Sequence, residues 1–208
     1  MIYSKDNLRQ IFQQPFNAHE WQQMLQHYFQ ATELKAEPIR GVINWCGLQW
    51  PRVKAELDAK EKIILQNTRN EALKTRMVAT LDDCSVYGTQ GINFIISKHN
   101  EDSLRYLLGI LNCKLINYLF ATKFLNLAIK AEYVKQVKLP NATEEQKVQI
   151  EALVNSILQG KLSEADTSKE ETAIDLLVCH LYGLTYDEVL IVDPETPITR
   201  EVYEKKHN

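Results

Sequence analysis

The spacing of apolar positions changes several times along the chain, and each change predicts a different element. Asn17-Ala18-His19-Glu20 has the form of a capping box, and Trp21, Met24, Leu25 and Tyr28 follow at helical spacing. Pro38 and Gly41 close this stretch, so residues 1–41 read as a helical arm. Residues 42–58 keep no period, with Trp45 and Trp50 as anchors of an irregular segment. From Lys62 the pattern turns β-like. Lys62–Gln66, Met77–Leu81 and Ile92–Ile96 read as strands, and Asp82–Gly91 reads as a polar connection in which Asp82-Asp83 forms a solvated turn. Leu104, Leu107, Leu108, Leu111, Leu115, Tyr118 and Leu119 predict one broad-faced helix begun by Asn100 or Asp102. Tyr133–Leu139 alternates weakly and ends at Pro140, as an edge strand would. Three capping boxes then open at Thr143, Ser168 and Thr185, with stops at Gly160, Gly183 and Pro194. The pattern predicts an α+β protein. Its parts are a helical arm over 1–41, a mixed sheet-and-helix domain over 42–140 and a helical tail over 141–208.

Composition narrows the class. Of the 208 residues, 45% are hydrophobic and 25% charged, ordinary values for a globular chain and wrong for a disordered or fibrous one. The four cysteines, Cys46, Cys84, Cys113 and Cys179, form no CxxC pair and read as reduced thiols, the usage of a cytoplasmic protein. The opening MIYSKDNLRQ is polar, and no apolar run approaches the roughly 20 residues of a membrane span, so neither a leader nor a membrane contact is expected. Charge is unevenly placed. Residues 60–138 hold twelve Lys/Arg against seven Asp/Glu, while residues 139–208 hold six against fourteen. A middle at +5 beside a tail at −8 puts any contact with nucleic acid in the middle, unless both are ordinary solvated faces.

Catalytic signatures are sparse. Neither GxxxxGK[ST] nor GxGxxG occurs, and there is no GxSxG or HExxH. Cys179 and His180 are adjacent on a predicted helix, where their side chains diverge and cannot grip one metal. Asp58-Ala59-Lys60 and Glu204-Lys205-Lys206 imitate the end of a metal-nuclease motif. Neither sits on a convincing strand, and a nuclease built on Asp58 and Lys60 is the weakest reading. No nucleophile, base and oxyanion donor assemble, so no catalytic residue, metal or cofactor is expected. Recognition-type side chains remain. Gln66, Asn67, Arg69 and Gln90 suit base edges, and Lys74, Arg76, Lys123 and Lys130 suit phosphates. Such residues also belong in any polar loop.

The stretch Leu107–Tyr118, LLGILNCKLINY, resembles the "LLgiLNSkli" helix of the TaqI-like C-terminal specificity domain, with Cys113 where that family usually has Ser. That domain is the DNA target-recognition part of type IIG restriction-modification enzymes and related adenine methyltransferases. Residues 174–189, IDLLVCHLYGLTYDEV, are similar to the "IDxLVyxLYGLTxeEi" ending of such enzymes. The opening FNAHEWQQMLQHYF, followed by ELKAEP, resembles the extreme N-terminus of some large members of the group. The (N/D)PP(Y/F) motif and the glycine-rich S-adenosylmethionine motif are absent from this chain, so no catalytic residue is carried over. The resemblance implies non-catalytic, sequence-directed recognition of double-stranded DNA, assisted by a methyltransferase or nuclease subunit or by a second copy of the chain. The alternative is a protein-interaction module, or a truncated remnant, that docks on such a subunit.

Overall fold

The computed structural model describes residues 38–39, 43–44, 58–68, 73, 75–84, 86, 91–97 and 103–205. The chain divides into two units, 1–53 and 54–208. In the first, β1 (Pro38–Ile39) and β2 (Ile43–Asn44) pair antiparallel, with Ile39 opposite Ile43. Pro38–Ile39 is thus strand at the end of the predicted helical arm. The capping box at Asn17 and the apolar stripe that follows it lie outside the described residues.

The second unit begins with a three-stranded antiparallel sheet in the order β4-β3-β5, made of β3 (Lys62–Gln66), β4 (Ala79–Asp82) and β5 (Ile92–Ile95). The β-branched run of KIILQ suits the central strand, where Ile63 and Leu65 are fully buried. β4 starts two residues later than the sequence predicts. Met77 leaves the ladder because its N–H donates to the Asn117 side chain at 2.7 Å instead of to a strand.

The predicted long helix is two helices, α1 (Leu104–Asn112) and α2 (Lys114–Lys123), and Ser103 caps the first. Cys113 between them is extended at φ −65° and ψ 158°. No proline or glycine marks the break, but several of the backbone groups beside it find partners. Asp175 accepts from Lys114 N at 2.8 Å, Cys113 Sγ accepts from Ile116 N at 3.5 Å, and Asn117 Nδ2 donates to the Asn112 and Cys113 carbonyls. The predicted edge strand at Tyr133–Leu139 does not form. Residues 131–134 make a short helix, α3 (Ala131–Val134), because Lys135 N bonds Ala131 O at 3.0 Å and turns the chain locally.

Two of the remaining helices open at the capping boxes that the sequence predicts. Thr143 and Gln146 form the reciprocal capping box of α4 (Glu144–Leu162), which runs past Gly160 to Ser163. α5 (Ser168–Leu181) departs from prediction. Thr167, not Ser168, is its N-cap, and the Thr167 hydroxyl donates to Glu171 rather than accepting from the backbone. Gly183 closes α5 at φ 70°, with Leu184 N bonded to Cys179 O, and the Thr185–Glu188 capping box opens α6 (Tyr186–Val192) two residues on. α7 (Arg200–Glu204) is the last helix.

The main core joins the sheet to four helices: Ile63 and Leu65 of β3, Leu108 and Ile110 of α1, Ile116 and Phe120 of α2, Ile150 and Val154 of α4, and Ile174 and Val178 of α5. α4 and α5 therefore share the core of the sheet, whereas Val189 of α6 and Tyr203 of α7 pack with Cys179 and Ile198 in a second, smaller cluster. Gly109 marks a close crossing of α1 and α4, where a Cβ would lie 2.7 Å from Ile150 Cγ2 and 3.1 Å from Val154 Cγ2.

Candidate nucleic-acid interface

The "LLGILNCKLINY" stretch acts on the sheet through two asparagines. Asn112 faces β4, which as an edge strand offers unpaired backbone groups. Its Oδ1 accepts from Ala79 N at 3.0 Å and its Nδ2 donates to Ala79 O at 2.9 Å, so one amide side chain supplies both bonds of a strand partner. Asn117, buried, accepts from Arg76 N and Met77 N with a single oxygen, each at 2.7 Å. The motif therefore holds residues 76–79 against the helix pair, and this determines where the Arg76 side chain goes.

Arg76 is 1% exposed. Its guanidinium reaches across the core edge and donates to the carbonyl of Asn126, in the segment that follows α2. Counted from the last residue of α2, that segment, residues 123–130 (KFLNLAIK), is pinned at several points. Phe124 and Ile129 are buried, and Phe124 stacks on Tyr133 at 4.5 Å between ring centroids. Asn126 Nδ2 donates to Tyr133 Oη at 3.1 Å. Ile129 N donates to Asn67 O at 2.6 Å, and Ala128 bridges Thr68. Asn93 Nδ2, from β5, donates to Ile129 O at 2.8 Å and to Asn67 Oδ1 at 3.3 Å. Two segments some sixty residues apart in the chain thus meet at the C-terminal end of β3.

Of the sequence-predicted residues, Gln66 and Asn67 stand at the end of β3, and Lys123 and Lys130 bound the segment that Asn67 holds. Gln66 ends β3 half-buried, its Nε2 donating to Thr68 O at 3.0 Å. Asn67 follows as the hub of the contacts just given. Lys123 and Lys130 are exposed at either end of the pinned segment, Lys123 lying 5.3 Å from the Phe124 ring centre and Lys130 5.8 Å from that of Tyr133. Arg76 lies beneath, and its buried, engaged guanidinium holds the segment in place instead of standing at the surface as a phosphate ligand would. Arg69, Lys74 and Gln90 lie outside the described residues. Asn93, Asn117, Asn126 and Tyr133 are the members that sequence reasoning missed. Asn117 alone had a signal, as the second asparagine of the LNCKLIN stretch.

Asp82 is likewise not a solvated turn residue. It stands opposite Lys62 in the β3–β4 register, buried, and its carboxylate meets Lys62 Nζ at 2.7 Å. Burial opposes ionisation of Asp82, but the Lys62 ammonium and the Val86 and Cys84 amides outweigh it and hold the carboxyl below its ordinary range. Its charge is spent inside the sheet. Asp58 and Lys60 sit in the bend before β3, and Glu204 pairs with Arg200 at 3.0 Å. Among the described residues no three His, Cys, Asp or Glu side chains are grouped to hold a metal, and no helix is long and apolar enough to cross a membrane. His180 Nε2 is engaged with Tyr203 O at 2.8 Å. Cys84, Cys113 and Cys179 are free thiols. Burial pushes the Cys179 thiol up to about 12.

Polar side chains carried on loops that a packed sheet holds rigid are the general build of a recognition module. The chain belongs to the TaqI-like C-terminal specificity domain family, whose model matches residues 16–141. The matched span takes in both motif helices and the pinned segment, and also residues 16–41, ahead of the start at 42 that the sequence suggests. It ends before the Thr143 cap of α4, so the LYGLTYDEV stretch lies outside it. No curated protein matches the chain.

Proposed function

We propose that this chain recognises a short site in double-stranded DNA as the non-catalytic reading module of a restriction-modification system, working in the cytoplasm beside the methyltransferase and nuclease activities of a type IIG enzyme. The observation that carries the reading is the meeting of Asn67 with the Lys123–Lys130 segment, in a chain of a specificity-domain family. Amide side chains at the end of β3 suit adenine edges, and lysines on both flanks suit the phosphates on either side. Gln66, Asn67, Arg69 and Gln90 are the proposed base readers, and Lys74, Lys123 and Lys130 the phosphate contacts. Arg76 leaves the contact set and serves as the clamp beneath it. The +5 balance of residues 60–138 favours the same face, because a module of this kind draws most of its affinity from phosphate neutralisation.

Fluorescence anisotropy of the full chain with a pool of randomised duplexes, read across a salt series, tests this. Binding should weaken linearly in log–log form with salt. Sequencing the bound fraction should then show an enriched site. Salt-dependent binding without enrichment would reduce the surface to a merely basic one. Failure to bind at low salt would sink autonomous recognition and favour docking on a separate enzyme subunit.

A further inference from the structure

Between the two lysines of the pinned segment stand Leu125 and Leu127, 67% and 55% exposed. A single exposed leucine calls for no explanation, and the other strongly exposed apolar side chains, Leu139, Val148, Leu162 and Ile191, are spread over separate parts of the chain. This pair differs in three respects. The leucines are two residues apart on one short segment, and they lie between exposed cations at 123 and 130. The segment carrying them is held from beneath by Arg76, Asn67, Asn93 and Tyr133, so its conformation does not depend on burying them.

Resting on the DNA-recognition reading above, we infer that Leu125 and Leu127 form an apolar wedge that enters the bound duplex at a base step and partly unstacks it. Leucine offers no hydrogen bond to a base edge, so base faces and sugars are the DNA surfaces that reward it. Unstacking is the use that apolar side chains find when they are driven into a groove. The flanking lysines provide the attraction that presses the segment onto the phosphates. The clamp provides rigidity, so the cost of ordering the segment is met before DNA arrives.

The test uses the full chain and the duplex it binds most tightly in the selected pool, with 2-aminopurine replacing each adenine in turn. Anisotropy and 2-aminopurine fluorescence are read on the same samples. Fluorescence should rise at one step when the parent chain binds. Leu125→Ala/Leu127→Ala should abolish that rise and weaken binding on the order of 10- to 100-fold. Its salt slope should match the parent's, since no phosphate contact is lost. Leu125→Met/Leu127→Met, which keeps apolar bulk, should retain the rise. Circular dichroism should give all three proteins the same helix content, since both positions are exposed. Binding without any rise, or a rise that survives the alanine pair, overturns the wedge and leaves the recognition reading intact. No change in anisotropy with the parent at low salt overturns the recognition reading itself.

Discussion

Asn117 makes four hydrogen bonds with one buried side chain, two accepted from Arg76 N and Met77 N and two donated to the carbonyls of Asn112 and Cys113. Asn117→Ala would leave two buried amides without partners, so a loss of about 2–4 kcal/mol is expected, read as a lower urea midpoint at unchanged m-value. Asp175 ties the same break to α5 through Lys114 N. Burial pushes its carboxyl up to about 6, against the pull of the Lys114 amide and charge and with the added repulsion of Asp193 and Glu171. The folded chain therefore holds this proton up to about pH 6, while the unfolded chain releases it near 3.8. Between those limits the folded state binds more protons, so this group's contribution to stability falls as pH rises and is level above about 6. Asp175→Asn removes that fall. Relative to the parent, the variant should gain on the order of 2–3 kcal/mol between pH 4 and pH 6.5, measured by urea unfolding at each pH. Asp82 works in the opposite sense: its lowered carboxyl stabilises above its ordinary range and loses that contribution as the solution is acidified.

Elements show how pattern and structure diverge. At the α1–α4 crossing, Gly109→Ala would set a methyl carbon 2.7 Å from Ile150 Cγ2. Helix propensity favours the alanine, but overpacking opposes it and is the larger effect, so a fall in Tm corresponding to about 1–3 kcal/mol is expected in a calorimetric scan. Where an element carried its own cap or its own apolar run, the sequence was enough. β3 and β5 fall where their β-branched runs lie, and the Thr143 and Thr185 capping boxes form with both bonds in place. The break at Cys113 was hidden because α1 and α2 bury their apolar residues in one core, so helical spacing continues through the interruption. Its partners, Asn117 and Asp175, lie 4 and 62 positions further along the chain (117 − 113 and 175 − 113), and no local window relates them. At α5 the competitor is local: Thr167 is the N-cap, and Asp166 accepts the Ser168 N–H at 3.0 Å.

At the scale of the whole molecule, the basic middle and acidic end separate by sequence, yet α4 and α5 of the acidic end complete the core on which the basic loops rest. Within the DNA reading, Lys123→Ala and Lys130→Ala should each lower the slope of log affinity against log salt by about 0.9, weakening all sequences alike, in anisotropy titrations. Gln66 and Asn67 were legible as amides at the end of the β3 run because residue type is a local property. Arg76 was misread as a surface cation because its fate depends on Asn117, 41 positions away (117 − 76), which turns it inward.

The tethers of the 123–130 segment have a property that reaches beyond stability. Arg76, Asn67 and Asn93 all address main-chain atoms of the segment, the carbonyls of Asn126 and Ile129 and the amide of Ile129. A bond to a peptide group does not register which side chain that residue carries. Positions 123, 125, 127 and 130, exposed and outside those bonds, are therefore free to accumulate substitutions while the loop keeps its shape. Descendants of this chain can change what the loop displays through mutations close to neutral for folding, and such variation can persist in a population until selection finds a use for it.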